Sequence, residues 1–211
     1  VSDHDKNGGL EERYREATSR ADFADRYLDY MASLLGKIDR EAVARILDAF
    51  LGAAESGRTL YLLGNGGSAA IASHMANDLA IGTRADGHPP IRAISLCDNL
   101  ALLTALANDE GYERIFVDQL DGRLDPGDVV VALSVSGNSP NVLEAVRYAR
   151  EVGATTVGCT GFDGGELRRA VDLSLHLPTP RGEYGPVEDM FAVLDHLTYT
   201  YLRMLRRGRL S

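Results

Sequence analysis

Tryptophan is absent from this 211-residue chain, and cysteine occurs only twice, at Cys97 and Cys159. Two cysteines at the ends of apolar strand-like runs cannot frame a disulfide scaffold, so they read as reduced core thiols. No apolar stretch approaches the roughly 20 residues that span a bilayer, which argues against a membrane protein. The polar opening VSDHDKNGG has neither the basic nor the apolar region of a secretory signal, and a cytoplasmic location is expected. Positive charge is also short: 22 Lys and Arg stand against 31 Asp and Glu, for a net charge of −9. Nucleic-acid affinity rests on Lys and Arg neutralising phosphates, so no nucleic-acid partner is expected. The one basic run, RMLRRGR at Arg203 to Arg209, reads as a solvated complement to the dipole of a last helix.

What is present suffices for one sizeable core, since 45% of the residues are hydrophobic. Residues 1–9 are polar and read as a disordered tail. Between Leu10 and Leu35, Tyr14, Ala17, Ala21, Ala24, Tyr27, Leu28, Met31 and Leu34 recur at helical spacing, and Asp39 is placed to cap a second helix running to about Ser56. Five strand candidates follow, at Thr59–Leu63, Ile91–Leu96, Val129–Leu133, Thr155–Cys159 and Leu173–Leu177. Helical segments lie between most of them, at Ser68–Ile81, Asn99–Ala107, Tyr112–Leu120 and Asn141–Val152, with a last helix at Val187–Arg206. This alternation predicts an α/β fold with a five-stranded, mostly parallel sheet flanked by helices. The expected division is a tail at 1–9, an N-terminal helical extension at 10–57 serving oligomerisation, and a single α/β domain at 58–211.

Two short loops carry the functional signal. GNGGSAA, from Gly64 to Ala70, and SVSGNSPN, from Ser134 to Asn141, each join a strand candidate to a helix candidate. Glycine admits a ligand close to the backbone, free N–H groups at a helix start favour an anion, and Ser68, Ser134, Ser136 and Ser139 add hydroxyl donors suited to phosphate. Neither loop has the GxGxxG spacing of a dinucleotide fold, and no GK[ST] follows, so a nucleotide is disfavoured. His74 and Asp78 are four apart on the helix after the first loop and project from one face, where imidazole and carboxylate together suit zinc or a similar ion. A hydrogen-bonded surface histidine with a solvated aspartate accounts for the same spacing.

GNGGSAA, then HMAND, LTALANDEGYERIF, GDVVVALSVSGNSPNVLEAV and TGFDGGEL, in that order, resemble the sugar isomerase (SIS) domain family, and within it the phosphoheptose isomerases. Those enzymes interconvert sedoheptulose 7-phosphate and D-glycero-D-manno-heptose 7-phosphate. The resemblance implies a single SIS-type domain, a phosphorylated sugar as ligand, and a homotetramer. It implies substrate contacts at Asn65, Gly66, Gly67, Asn108 and Asp109, and phosphate-binding serines at Ser134, Ser136 and Ser139, with Val135 where a threonine is usual. The family's active-site constellation, which binds zinc in some members, falls on His74, Asp78, Glu188 and His196. Asp78 stands where glutamate is typical, and Glu188 where glutamine is.

An aldose and a ketose exchange by moving a proton between adjacent carbons, which needs a base, an acid and a clamp on the distal phosphate. By resemblance, Asp78 is the candidate base and His196 the acid, with Glu188 and His74 orienting them or holding Zn2+. These roles compete, because a carboxylate locked onto zinc is a poor base. Glu188 and His196 are also eight residues apart, about 12 Å along a straight helix, so a non-helical start near Pro186 or a second subunit would be needed to bring both to one ion. Asp195, beside His196, reads as a residue that bridges to a neighbour. Arg84, Arg181 and Tyr184 are expected to shape the pocket's width. A SIS domain acting as a phosphosugar sensor, or as a protein-binding module of the kind that binds a replication initiator, would keep the loops without the acid and base. Convergence of the four polar residues on one point separates enzyme from sensor.

Overall fold

A computed structural model describes residues 9–208, so the tail expected at 1–9 lies outside the described residues except for Gly9, as does Arg209 of the basic run. The first expected helix is two helices, α1 (Leu10–Glu16) and α2 (Arg20–Leu35). The break has a local cause. Ser19 accepts the Asp22 N–H at 3.1 Å while Asp22 accepts the Thr18 N–H at 2.7 Å, a reciprocal cap that starts α2 afresh. The helix α3 (Arg40–Glu55) begins as expected at Asp39, whose Oδ1 accepts the N–H groups of Glu41 and Ala42 at 3.0 Å each.

All five strands form: β1 (Thr59–Gly64), β2 (Arg92–Ser95), β3 (Val129–Ser134), β4 (Thr155–Thr160) and β5 (Leu173–His176). They lie in the order β2-β1-β3-β4-β5, and every pairing is parallel. Parallel neighbours require crossovers, and helices supply them. Between β1 and β2 run α4 (Gly67–Asn77) and a π-helical turn (Asp78–Gly82). Between β2 and β3 run α5 (Leu100–Asp109), a 3₁₀ turn (Tyr112–Arg114) and α6 (Val117–Leu120), so the helix expected at 112–120 is two short pieces. The remaining helices are α7 (Pro140–Val152), α8 (Leu167–Ala170) and α9 (Tyr184–Arg206). The last helix starts three residues before its expected Val187, because Pro186 falls in the first turn, where no N–H is needed for the helix ladder.

The sheet is the middle of three layers. Leu60 and Leu62 of β1, with Val129, Val131 and Leu133 of β3, point to the side covered by α2, α3, α4 and α9. Tyr61, Leu63, Val130 and Ala132 point to the side of α6 and α7. Both strands are buried throughout, which is why TLYLL and VVVAL read as continuous apolar runs rather than alternating ones. Each such side chain contributes roughly 1.5–3 kcal/mol on burial. The N-terminal helices share this core, with Phe50 of α3 wholly buried in the same cluster as Leu60 and Val131. Arg206 corrects the solvated reading of the basic run: it is buried, and its guanidinium donates to Thr83 Oγ1 and the Pro89 carbonyl.

Both cysteines are free thiols, and Cys159 is buried in β4. Burial pushes its thiol up to about 12, and burial also raises Cys97. The thiolate is the reactive form. Both thiols should therefore react with a disulfide reagent at pH 8 at least tenfold more slowly in the native protein than after unfolding in guanidinium. Native-state reaction at the unfolded rate would contradict this placement.

Candidate active site

The chain moves outward from β1 to β2 and then returns to the other side of β1 for β3, so the strand order reverses between β1 and β3. A crevice opens at such a point beyond the carboxyl ends of the strands. Both glycine-serine loops flank it. Their strands are direct neighbours, with Gly64 in register with Leu133. The side-chain amides of Asn65 and Asn141 tie the loops together, each donating to the other's oxygen at 2.9 Å, and Tyr112 adds a hydroxyl bond to Asn65 at 3.0 Å. Gln119, unremarked in the sequence, is buried under this end of the sheet and donates to the carbonyls of Leu96 and Ile115.

The second loop is held by its own serines and by the segment behind it. Ser139 takes the cap position of α7 without its hydroxyl bonding the helix, and its Oγ lies 3.4 Å from that of Ser134. The Gly137 N–H donates to Ser134 Oγ and the Asn138 N–H to Ser136 Oγ. A brace from TGFDGGEL holds the loop from behind: Leu167 N–H donates to the Gly137 carbonyl at 2.9 Å, and Glu166 N–H to Asn138 Oδ1 at 3.0 Å. Val135, where threonine is usual, is buried in the core.

The first loop is different. Ser68 is buried, and its backbone N–H donates to the Glu188 carboxylate, which lies directly over Gly67 at the start of α4. The chain's own carboxylate thus takes the anion-favouring end of α4. Burial raises the Glu188 pKa and the Asp189 charge adds to this, against the opposing Ser68 bond. Glycine at 67 leaves room for that carboxylate, which a Cβ there would displace.

Farther along, α4 packs on α9 and brings four side chains together: His74, Asp78, Asp195 and His196, whose ligand-type atoms all lie within 4.8 Å of one another. The Nε2 atoms of His74 and His196 face each other at 3.1 Å. His74 Nε2 is 3.8 Å from Asp78 and 3.7 Å from Asp195. Asp78 opens the π-turn, a distortion that recurs at functional sites. Three of the four expected members therefore meet, and Glu188 does not. Because α9 is helical from Tyr184, Glu188 sits two turns away at the first loop, and Asp195 takes the fourth place. Asp195 is fully buried, neither of its carboxylate oxygens has a hydrogen-bond partner, and burial with the nearby Asp78 charge pushes its pKa up to about 6. Two imidazoles and two carboxylates, one of them orphaned, fit a zinc-like divalent cation.

Asn108 and Asp109 are exposed at the end of α5, with Asn108 donating to Asp109 at 2.7 Å. Of the residues expected to set pocket width, Tyr184 packs edge-on against Phe162 with ring centroids 5.0 Å apart, while Arg84 and Arg181 are exposed.

The SIS domain family model matches residues 26–161. Phosphoheptose isomerases from Trichlorobacter lovleyi and Geobacter sulfurreducens are 38% and 41% identical to this chain, over 79% and 77% of it and 87% and 88% of their own lengths. The chain belongs to the SIS-domain family, in its phosphoheptose isomerase group. The phosphoheptose isomerase from Neisseria gonorrhoeae superposes with a TM-score of 0.73 at 28% identity, covering 92% of this chain and 98% of that one. The family's fold accounts for the position of both loops at the β1/β3 crevice. Asp195, expected to bridge to a neighbour, instead has no hydrogen-bond partner and stands in the cluster, and a signal for that place was there. Val187, Phe191, Leu194, Thr198 and Leu202 form the buried stripe of α9, and Asp195 falls within it. A charge on a core-facing stripe needs an explanation.

Proposed function

We propose that the protein is an aldose–ketose isomerase that interconverts sedoheptulose 7-phosphate and D-glycero-D-manno-heptose 7-phosphate. The reading is supported by the presence of both a serine-lined loop after β3 and a His/carboxylate cluster between α4 and α9, in a chain whose relatives are phosphoheptose isomerases. The cluster, although Glu188 lies outside it, favours the enzyme over a sensor, which needs the loop alone.

In this reading Ser134, Ser136 and Ser139 hold the phosphate, while Asn65, Gly66 and Gly67 border the sugar's reacting end. A base takes a proton from C1 of the ketose as the C2 carbonyl oxygen gains one, giving an enediol. Reprotonation at C2 with loss of the O1 proton yields the aldose. Glu188 suits the base, since it faces the loop pair from α9 and its raised pKa brings it towards neutral pH. His196 serves as the acid at the oxygens where the cluster holds no cation; where it holds one, His196 would be a ligand and the cation would take that part. Asp78, the base implied by the family resemblance, sits instead beside His74 in the cluster. A divalent cation such as Zn2+, held by that cluster, would polarise the carbonyl.

A homotetramer and a cytoplasmic location belong to the same proposal. Val193, Leu197, Tyr201 and Met204 form an exposed apolar stripe along α9 beside His196, as a subunit contact that covers the cluster requires. Free thiols suit a reducing compartment, and no helix among the described residues is long and apolar enough to cross a membrane.

The test is proton exchange followed by NMR in D2O, in which sedoheptulose 7-phosphate should gain deuterium at C1 and convert to the aldose. Binding without exchange would favour the sensor. Ser136→Ala with Ser139→Ala should weaken the phosphosugar at least tenfold and leave the weak binding of unphosphorylated sedoheptulose alone. Equal losses for both sugars would remove the loop's phosphate role.

A further inference from the structure

We propose that Tyr112 is a positioning residue of the sugar pocket, whose hydroxyl holds the Asn65 amide so that one Asn65 N–H is offered to an oxygen of the sugar. The inference rests on the isomerase reading for what fills the pocket, and on hydrogen bonding alone for the part played by Tyr112.

An amide side chain presents its oxygen or its nitrogen according to its neighbours, because a half-turn exchanges acceptor for donor. At Asn65 the choice is made from two flanks. Asn141 is wholly buried, and its Oδ1 accepts the Val142 N–H at 3.0 Å, which sets that oxygen towards its own backbone. Asn65 must therefore offer Nδ2 to Asn141 Oδ1, and its Oδ1 takes the Asn141 Nδ2 in return, both at 2.9 Å. Tyr112 closes the other flank. Its hydroxyl donates to the same Asn65 Oδ1 at 3.0 Å, so that oxygen accepts twice and both its lone pairs are engaged. What remains is the second N–H of Asn65, which has no acceptor among the described residues. The amide is thus left as a donor, and a hydroxyl or carbonyl oxygen is what a donor recognises.

The hydroxyl is carried on a rigid mount. Gly111 turns the chain at φ +100 after α5, the Arg114 N–H closes the 3₁₀ turn on the Gly111 carbonyl at 3.1 Å, and Ile115 and Phe116 are buried behind it. Tyr112 itself is 54% exposed and belongs to neither core cluster, so its ring adds little to the core. Asn65 is its one hydrogen-bond partner among the described residues. Asn65, in turn, rides on a loop whose Gly66 and Gly67 are exposed. With the Asn141 pair alone, its amide would be held along one edge only.

The experiment measures binding of sedoheptulose 7-phosphate and of inorganic phosphate by calorimetry, in wild type, Tyr112→Phe, Asn65→Ala and the double variant of the full chain. Tyr112→Phe should weaken the sugar phosphate about tenfold and inorganic phosphate by less than about twofold, with an unchanged unfolding midpoint. In the Asn65→Ala background the same substitution should cost less than about twofold, since a hydroxyl that acts through Asn65 has nothing left to hold. Where Asn65→Ala binds too weakly to measure, the Asn65 side-chain amide signals in NMR replace that arm, and Tyr112→Phe should shift them in the free protein. Equal losses for both ligands, a full further loss on top of Asn65→Ala, or unmoved amide signals would each overturn the proposal. If the Tyr112 pattern appears but no proton exchange follows, the isomerase reading fails and the positioning role stands. If exchange occurs and Tyr112→Phe binds the sugar phosphate like wild type, the positioning role fails alone. No binding of the sugar phosphate by wild type would sink both.

Discussion

Gly137→Ala is expected to lower the unfolding free energy by about 3 kcal/mol or more and to abolish measurable saturation by the phosphosugar. Gly137 sits at φ +64, in the left-handed region that favours glycine, and a methyl there would overlap the Gly164 carbonyl oxygen. Backbone, not a flexible side chain, is what it meets, so relief requires the 163–165 turn to move. That turn braces the serine loop through Leu167 and Glu166, and stability and phosphate binding should fall together. Gly182→Ala is the control. Its φ is +99 but nothing lies within 4 Å of the added methyl, so it should cost only about 1 kcal/mol. Denaturant unfolding of both variants, with KM for the first, makes the comparison. Equal costs would mean that conformational strain alone acts at 137 and that the brace is unimportant.

Glu188→Gln should cut kcat by about a thousandfold with little change in KM, because it removes a proton acceptor while keeping size and hydrogen-bonding capacity. Gly67→Ala should act similarly by displacing the same carboxylate from its seat. The wild-type pH profile carries a matching signature. Burial and the Asp189 charge raise the Glu188 pKa, so its basic form accumulates only above the usual glutamate range. The acidic limb of kcat/KM should rise at a correspondingly higher pH, and Asp189→Asn should draw it back down. A Glu188→Gln variant within tenfold of wild type would return the base role to Asp78.

The five strands and most helices were legible in sequence because their signals are local. TLYLL and VVVAL declare buried parallel strands, and Asp39 marks a helix start. The break at Ala17–Ser19 was equally local, written in the Ser19 and Asp22 pair, but the regular apolar spacing across it masked the cap. His74 with Asp78 was readable for the same reason, since four residues on one helix always share a face. The fate of Ser68 was not, because its N–H is taken by a residue 120 positions away.

By itself, the sequence determined an α/β domain with a phosphate-type serine loop after β3, a metal-competent pair on the helix after β1, and membership of a sugar isomerase family. These rest on short-range patterns that any fold must respect. Tertiary structure alone decided which carboxylate stands where. The unbroken course of α9 separates Glu188 from His196, and the packing of α4 on α9 buries Asp195 between two histidines. Helix spacing sets which residues share a face, but only the neighbouring helix determines which of them is taken out of water.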